Sequence, residues 1–180
     1  MNAGTSLEAG ARRMTYTVKG FANDELGYFN LSEAAWKSQD VDLVRVNALS
    51  KPDIVVQKST SADIGALYNK TDPRVAQSGL SLTDRSTTPI SIHIHKSNWD
   101  ALPVWHGTEY TNLRDYRVAI LNHEFAHALG HNHVKCPCKN PRSCSLESDV
   151  RQQPSRDLGG CKPTTSVVFH KNAPSTNTNF

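Results

Sequence analysis

The amino-acid sequence predicts an α+β fold, and three observations carry that expectation. Short Val- and Ile-rich runs bounded by turn residues recur through the first half, at residues 43–46, 53–58 and 90–96. One uninterrupted helical pattern then runs over residues 113–129. Behind it all four cysteines, Cys136, Cys138, Cys144 and Cys161, fall in a stretch interrupted by Pro137, Pro141 and Pro154, which predicts irregular structure.

A chain of 180 residues, 37% hydrophobic and 21% charged, has the length and composition of a single globular domain. Its net charge of +3, with the basic residues scattered, excludes the basic footprint of a nucleic-acid binder. No apolar run approaches the roughly 20 residues of a membrane span, and a monomer is expected. The opening MNAGTSLEAGARRM shows no signal-peptide core. Residues 1–13 are small and polar and expected to be frayed. Residues 14–168 form the expected domain, and 169–180 a polar, flexible tail.

In order along the chain, residues 16–19 alternate as a strand. Residues 32–37 read as a helix with Ser32 as its cap and Trp36 turned into the core. Residues 59–89 are rich in Ser, Thr, Asp and Gly and are expected to loop over the surface. The run ISIHIHK alternates with period two. Ile90, Ile92 and Ile94 share one face, while Ser91, His93 and His95 share the other, which is expected to be exposed. Asn112 can cap the long helix, Asp115 suits its first turn, and Gly130 marks its stop.

That helix ends in HEFAHALGHNH, residues 123–133. At about 100° per residue, His127 sits one turn along from His123 and nearly in line with it, so both imidazoles reach one ion. Glu124 lies beside them, close enough to hold a metal-bound water without ligating the ion. Val118, Leu121, Phe125 and Ala128 form an apolar stripe on the opposite side. In an unbroken helix His133 would lie about 9 Å beyond His127, so it joins the same ion only if the chain turns back. Gly130 stands where that turn is needed. Three neutral imidazoles at about 2.0–2.1 Å leave a fourth tetrahedral position for water, the arrangement of a catalytic zinc. The plainer reading, histidines that merely solvate a helix end, explains one HExxH but not the added offsets of Gly130 and His133. His131 is expected to face solvent or backbone.

These residues resemble the long zinc motif HExxHxxGxxH of the metzincin metallopeptidases. The resemblance implies a metzincin-like α+β fold: a mixed twisted sheet, an active-site helix and a small irregular C-terminal subdomain held by disulfides. It implies one catalytic Zn2+ ligated by His123, His127 and His133, with Glu124 as general base. Within that clan the chain is similar to a mostly secreted actinobacterial family of metzincin-like domains. The likeness runs through Tyr116-Arg117, Asn122-His123-Glu124, His133 with Cys136-Pro137, Gln152-Gln153 and Gly160-Cys161. The clan's turn methionine beneath the zinc has no counterpart: methionine occurs only at 1 and 14, and Val150 falls at or next to that place.

The implied activity is that of a secreted zinc endopeptidase acting on peptides or proteins, in which Glu124 activates a zinc-bound water. The substrate would pair with an edge strand, expected at residues 90–96. The alternative is a catalytically weak or inert zinc scaffold serving as a binding module. The cysteines leave two readings open. Even, clustered cysteines fit two disulfides and an oxidising compartment, while four thiolates could hold a second zinc. The resemblance supports pairing Cys136 with Cys161, leaving Cys138 with Cys144.

Overall fold

The computed structural model describes residues 12–68, 81–102 and 112–131. Five strands form one mixed sheet among the described residues, in the order β2-β1-β3-β5-β4. Strand β1 is Arg12–Lys19 and helix α1 is Leu26–Lys37; β2 is Val41–Arg45 and β3 is Ile54–Ser59. Helix α2, Ser61–Tyr68, follows β3. Strand β4, Leu82–Asp84, leads into β5, Ile90–His95, and the short helix α3, Lys96–Asp100. The long helix α4, Leu113–Ala128, comes last. β1 pairs in parallel with both β2 and β3, and β3 pairs in parallel with β5. Only β4 runs antiparallel, along β5.

Register puts the apolar residues in rows. Tyr16, Ile54 and Ile90 lie side by side across β1, β3 and β5, and Val18, Val56 and Ile92 form the next row. Helices α1 and α4 cover that face. Phe29, Trp36, Ile120, Leu121 and Phe125 pack into one core with Tyr16, Ile54, Val56, Ile92 and Ile94. Phe125 meets the Tyr16 ring edge-on with centroids 5.2 Å apart. Truncating a fully buried aromatic of this kind costs about 3–5 kcal/mol.

Several elements differ from the sequence reading. β1 reaches back to Arg12, because residues 12–16 find partners in β2. The first helix begins at Leu26, so Ser32 is not its cap. Ser32 is fully buried in mid-helix, where its hydroxyl donates to Asn122 Oδ1 of α4 and so satisfies a polar group far from any terminus. The expected loop over 59–89 contains helix α2 and strand β4. Thr60 and Asp63 start α2 reciprocally: Thr60 N–H donates to the Asp63 carboxylate at 2.8 Å and Asp63 N–H to the Thr60 hydroxyl at 3.2 Å. β5 is an interior strand, since β4 pairs along its outer side; the sheet edge expected at residues 90–96 belongs to β4.

His93 and His95 are buried, not exposed, at 6% and 5%. Alternation assigned them correctly to one face of the strand, but α2 packs on β3 and β5 and covers that face. Trp36 lies in the core as the sequence predicts, and Asn112 caps α4 by accepting from Asp115 N–H at 2.9 Å. The apolar side of α4 is broader than one stripe. Tyr116, Ala119, Ile120 and Ala126 are buried together with Val118, Leu121, Phe125 and Ala128. A central helix packed on both sides needs no single apolar face.

Polar ties fix the helices to the sheet. Lys58 Nζ donates to Glu25 Oε1 at 2.8 Å, and the Trp99 indole N–H donates to the same oxygen at 2.6 Å. Burial alone would raise the Glu25 pKa, but Lys58, Ala22 N–H and Trp99 N–H hold it below the ordinary value. Arg117 donates to the Trp99 carbonyl and stacks over the Tyr28 and Trp99 rings, joining α4 to α1 and α3. These contacts hold the N-terminal half of α4 to α1 and α3.

Candidate metal centre

His123, Glu124 and His127 occupy the last turns of α4, where the helix is buried against the sheet. His123 is 9% exposed and Glu124 only 2%, while His127 is partly open. The two imidazoles converge: His123 Nε2 and His127 Nε2 are 2.9 Å apart, and the rings meet edge to face with centroids at 4.5 Å. His127 Nδ1 lies 2.8 Å from the His131 carbonyl. A carbonyl accepts only, so Nδ1 carries a proton, and the ring turns Nε2 to His123. A fixed tautomer of this kind is how a histidine ligand is oriented before a metal arrives.

The turn that creates this contact is built by Gly130. Its φ is +103°, a conformation that side-chain-bearing residues rarely adopt. Gly130 N–H donates to the His127 carbonyl and His131 N–H to the Ala126 carbonyl, each at 3.0 Å. Those two bonds close a Schellman motif and satisfy carbonyls the helix end would leave open. Arg12 Nη1 adds a bond to the Leu129 carbonyl at 3.0 Å, so the first strand grips the end of the site helix. The chain thus leaves the helix axis at Gly130, where the sequence places the turn.

Glu124 points to the other side of the pair. The Thr83 hydroxyl of β4 lies 2.8 Å from Glu124 Oε2 and 3.1 Å from the Glu124 carbonyl oxygen. The sequence reading missed Thr83, because it falls in the stretch expected to loop. A three-residue strand shows no periodicity to find. One residue before His123, fully buried Asn122 accepts from Ser32, which ties the site to α1.

His123 and His127 are the two imidazoles that the structure brings together. His133, the third expected ligand, lies outside the described residues, as do Cys136, Cys138, Cys144, Cys161 and Val150. Among the described residues no group of three or more His, Cys, Asp or Glu side chains is placed to hold an ion. The pair itself suits zinc: two imidazole nitrogens converge, one in a fixed tautomer, with a carboxylate beside them that is not part of the pair.

No family model and no curated protein matches this sequence. Two solved structures of myroilysin are similar to it, both at 13% identity. One match covers 69% of this chain and 50% of that one with a TM-score of 0.45; the other covers 77% and 52% with a TM-score of 0.42. The chain therefore spans about half the length of the structures it matches. No helix among the described residues is long and apolar enough to cross a membrane.

Proposed function

We propose that the chain is a zinc-dependent endopeptidase in which His123, His127 and His133 hold one ion and Glu124 is the general base. The observation that supports it most is the convergence of His123 and His127 at 2.9 Å, with a left-handed turn at Gly130 directly behind them. A helix end that was merely solvated would need neither a fixed imidazole tautomer nor a buried carboxylate next to it.

A zinc ion held by those imidazoles would supply a Lewis acid for the scissile carbonyl and bring the pKa of its water to about 7. Glu124 accepts the proton of the attacking water and returns it to the leaving amine nitrogen. Its burial keeps bulk water from competing for that proton. The peptide lies extended along β4, the edge strand on the site side of the sheet among the described residues, and pairs through its backbone. Because β4 also carries Thr83, the strand that would bind substrate adjoins the base.

The reading is tested by casein or gelatin zymography with and without a chelator, alongside metal analysis. Chelator-sensitive clearing with one zinc per chain is the expected result. One zinc without clearing identifies the inert scaffold instead. The same proposal places the protein in an oxidising, extracellular setting through two disulfides, Cys136–Cys161 and Cys138–Cys144. The longer pair would contribute on the order of 3 kcal/mol by constraining the unfolded chain. Peptide mapping of unreduced protein by mass spectrometry is expected to recover both linked pairs. Four free thiols with a second zinc would overturn the pairing and the setting together.

A further inference from the structure

We infer that Thr83 is a positioning residue for Glu124, holding the carboxylate from the same strand that receives the substrate backbone. The inference rests on the peptidase reading and adds to it a coupling between substrate register and general base.

The Thr83 hydroxyl has one proton and two acceptors within reach, Glu124 Oε2 at 2.8 Å and the Glu124 carbonyl at 3.1 Å. One turn before the helix end, that carbonyl still has the N–H four residues on, at Ala128, to accept from. The carboxylate is the stronger acceptor and the nearer one, so the proton goes to Oε2. Fixing one oxygen fixes rotation about the last side-chain bond, which gives the other oxygen a defined direction. A glutamate otherwise has several freely turning bonds, and ordering them at each turnover would slow the proton transfer.

Thr83 is itself well held. It pairs with Ile92 in the antiparallel ladder, and Ile92 is a buried core residue. As a β-branched residue on a strand, threonine has a restricted χ1, so its hydroxyl points in one direction. A peptide added to the outer side of β4 would therefore be indexed to the strand whose hydroxyl also sets the base. A shift of β4 would move substrate and carboxylate together.

The test compares Thr83→Val, which keeps the shape and removes the donor, with Thr83→Ser, which keeps the donor. Thr83→Val is expected to lower kcat about 10- to 100-fold with KM nearly unchanged, since the lost interaction orients the base and does not bind peptide. Zinc stoichiometry should stay at the wild-type value, and Thr83→Ser should recover most of kcat. Thr83→Ala makes the same comparison if the valine variant does not fold. Calorimetric binding of a peptidyl hydroxamate gives a second readout without turnover. Its acidic O–H needs an oriented carboxylate, so affinity should fall in Thr83→Val and return in Thr83→Ser.

An active wild type whose Thr83→Val variant matches it in kcat and hydroxamate affinity overturns this role. A variant that raises KM and lowers the melting temperature while kcat holds also overturns it, leaving Thr83 as a strand residue only. A wild type that neither hydrolyses peptides nor binds the hydroxamate overturns the peptidase reading, and this inference with it.

Discussion

Two histidine pairs stand on opposite sides of one sheet, and they have opposite fates. His123 and His127 are four apart on a helix, and their Nε2 atoms come within 2.9 Å. His93 and His95 are two apart on β5, and each finds partners of its own. Gln57 Nε2 and the Ser59 hydroxyl lie 2.9 Å from His93 Nδ1, while the Ser61 hydroxyl lies 2.8 Å from His95 Nε2. Both strand histidines are buried, and burial lowers their pKa; the charges of Asp84, Asp63 and Glu124 partly oppose this at His93. What separates a candidate metal pair from a packed polar layer is the set of groups that meet the rings. On the helix the partner at His127 Nδ1 is a carbonyl, and Nε2 turns to the other imidazole. On the strand, hydroxyl and amide groups meet both nitrogens of His93 and Nε2 of His95, while His95 Nδ1 is buried without a partner among the described residues.

The largest test of that contrast is metal binding. His123→Ala and His127→Ala are each expected to weaken zinc more than about 100-fold, exceeding the usual effect of losing an outer-shell partner. His93→Ala and His95→Ala should leave zinc stoichiometry unchanged. Equilibrium dialysis with metal analysis separates the two pairs, and equal losses at all four positions would erase the distinction. His133→Ala belongs to the same experiment: full occupancy in that variant removes His133 from the ligand set.

Next in size is turnover. Glu124→Ala should retain zinc and the fold while hydrolysis falls about 10²-fold or more, because a general base and not a ligand is lost. Unchanged turnover would sink the mechanism.

Smaller, and confined to the other face, is a stability effect. His93→Ala removes the group that Gln57 and Ser59 meet under α2, and is expected to cost about 1–3 kcal/mol in denaturant unfolding. The measurement is made on chelator-treated protein, so that zinc linkage does not add to it. A loss of stability with zinc affinity preserved sharpens the contrast between the faces.

The smallest expected effect is on the pH dependence of folding. The strand histidines are neutral in the folded chain and have pKa values below their unfolded ones. Between those two values the unfolded chain binds more protons, so stability rises with pH. The contribution is therefore fully present above the unfolded value of about 6.5 and is lost as pH falls through the lowered folded value. The double variant His93→Gln, His95→Gln should flatten unfolding curves compared at pH 7.5 and pH 5.5. An identical slope in wild type and variant would place the acid sensitivity elsewhere.

The long helix and the turn that ends it were legible because their signals are local. Asn112 and Asp115 make a cap three residues apart, and Gly130 marks a turn that the backbone then shows at φ +103°. Strands β3 and β5 were legible from their Val and Ile content. What sequence could not show was long-range. Ser32 looks like a cap until Asn122, 90 residues away, is placed beside it. Residues 90–96 look like an edge until β4 pairs along them. His93 and His95 look exposed because alternation reports which face a residue is on, not whether a helix covers that face. The Thr60–Asp63 start of α2 was visible in principle, but it was lost in a run of Ser and Thr that resembles a loop.

The bond from Arg12 to the Leu129 carbonyl spans 117 positions of sequence. During synthesis the five strands emerge before the helix that covers them. Until α4 is made, Tyr16, Ile54 and Ile92 lack the aromatic and aliphatic groups that later bury them. A topology dominated by such distant contacts closes late and slowly. The last element in sequence among the described residues is also the one that carries His123, Glu124 and His127. A product that stops before residue 113 therefore carries the five strands but neither this helix nor the three side chains on it.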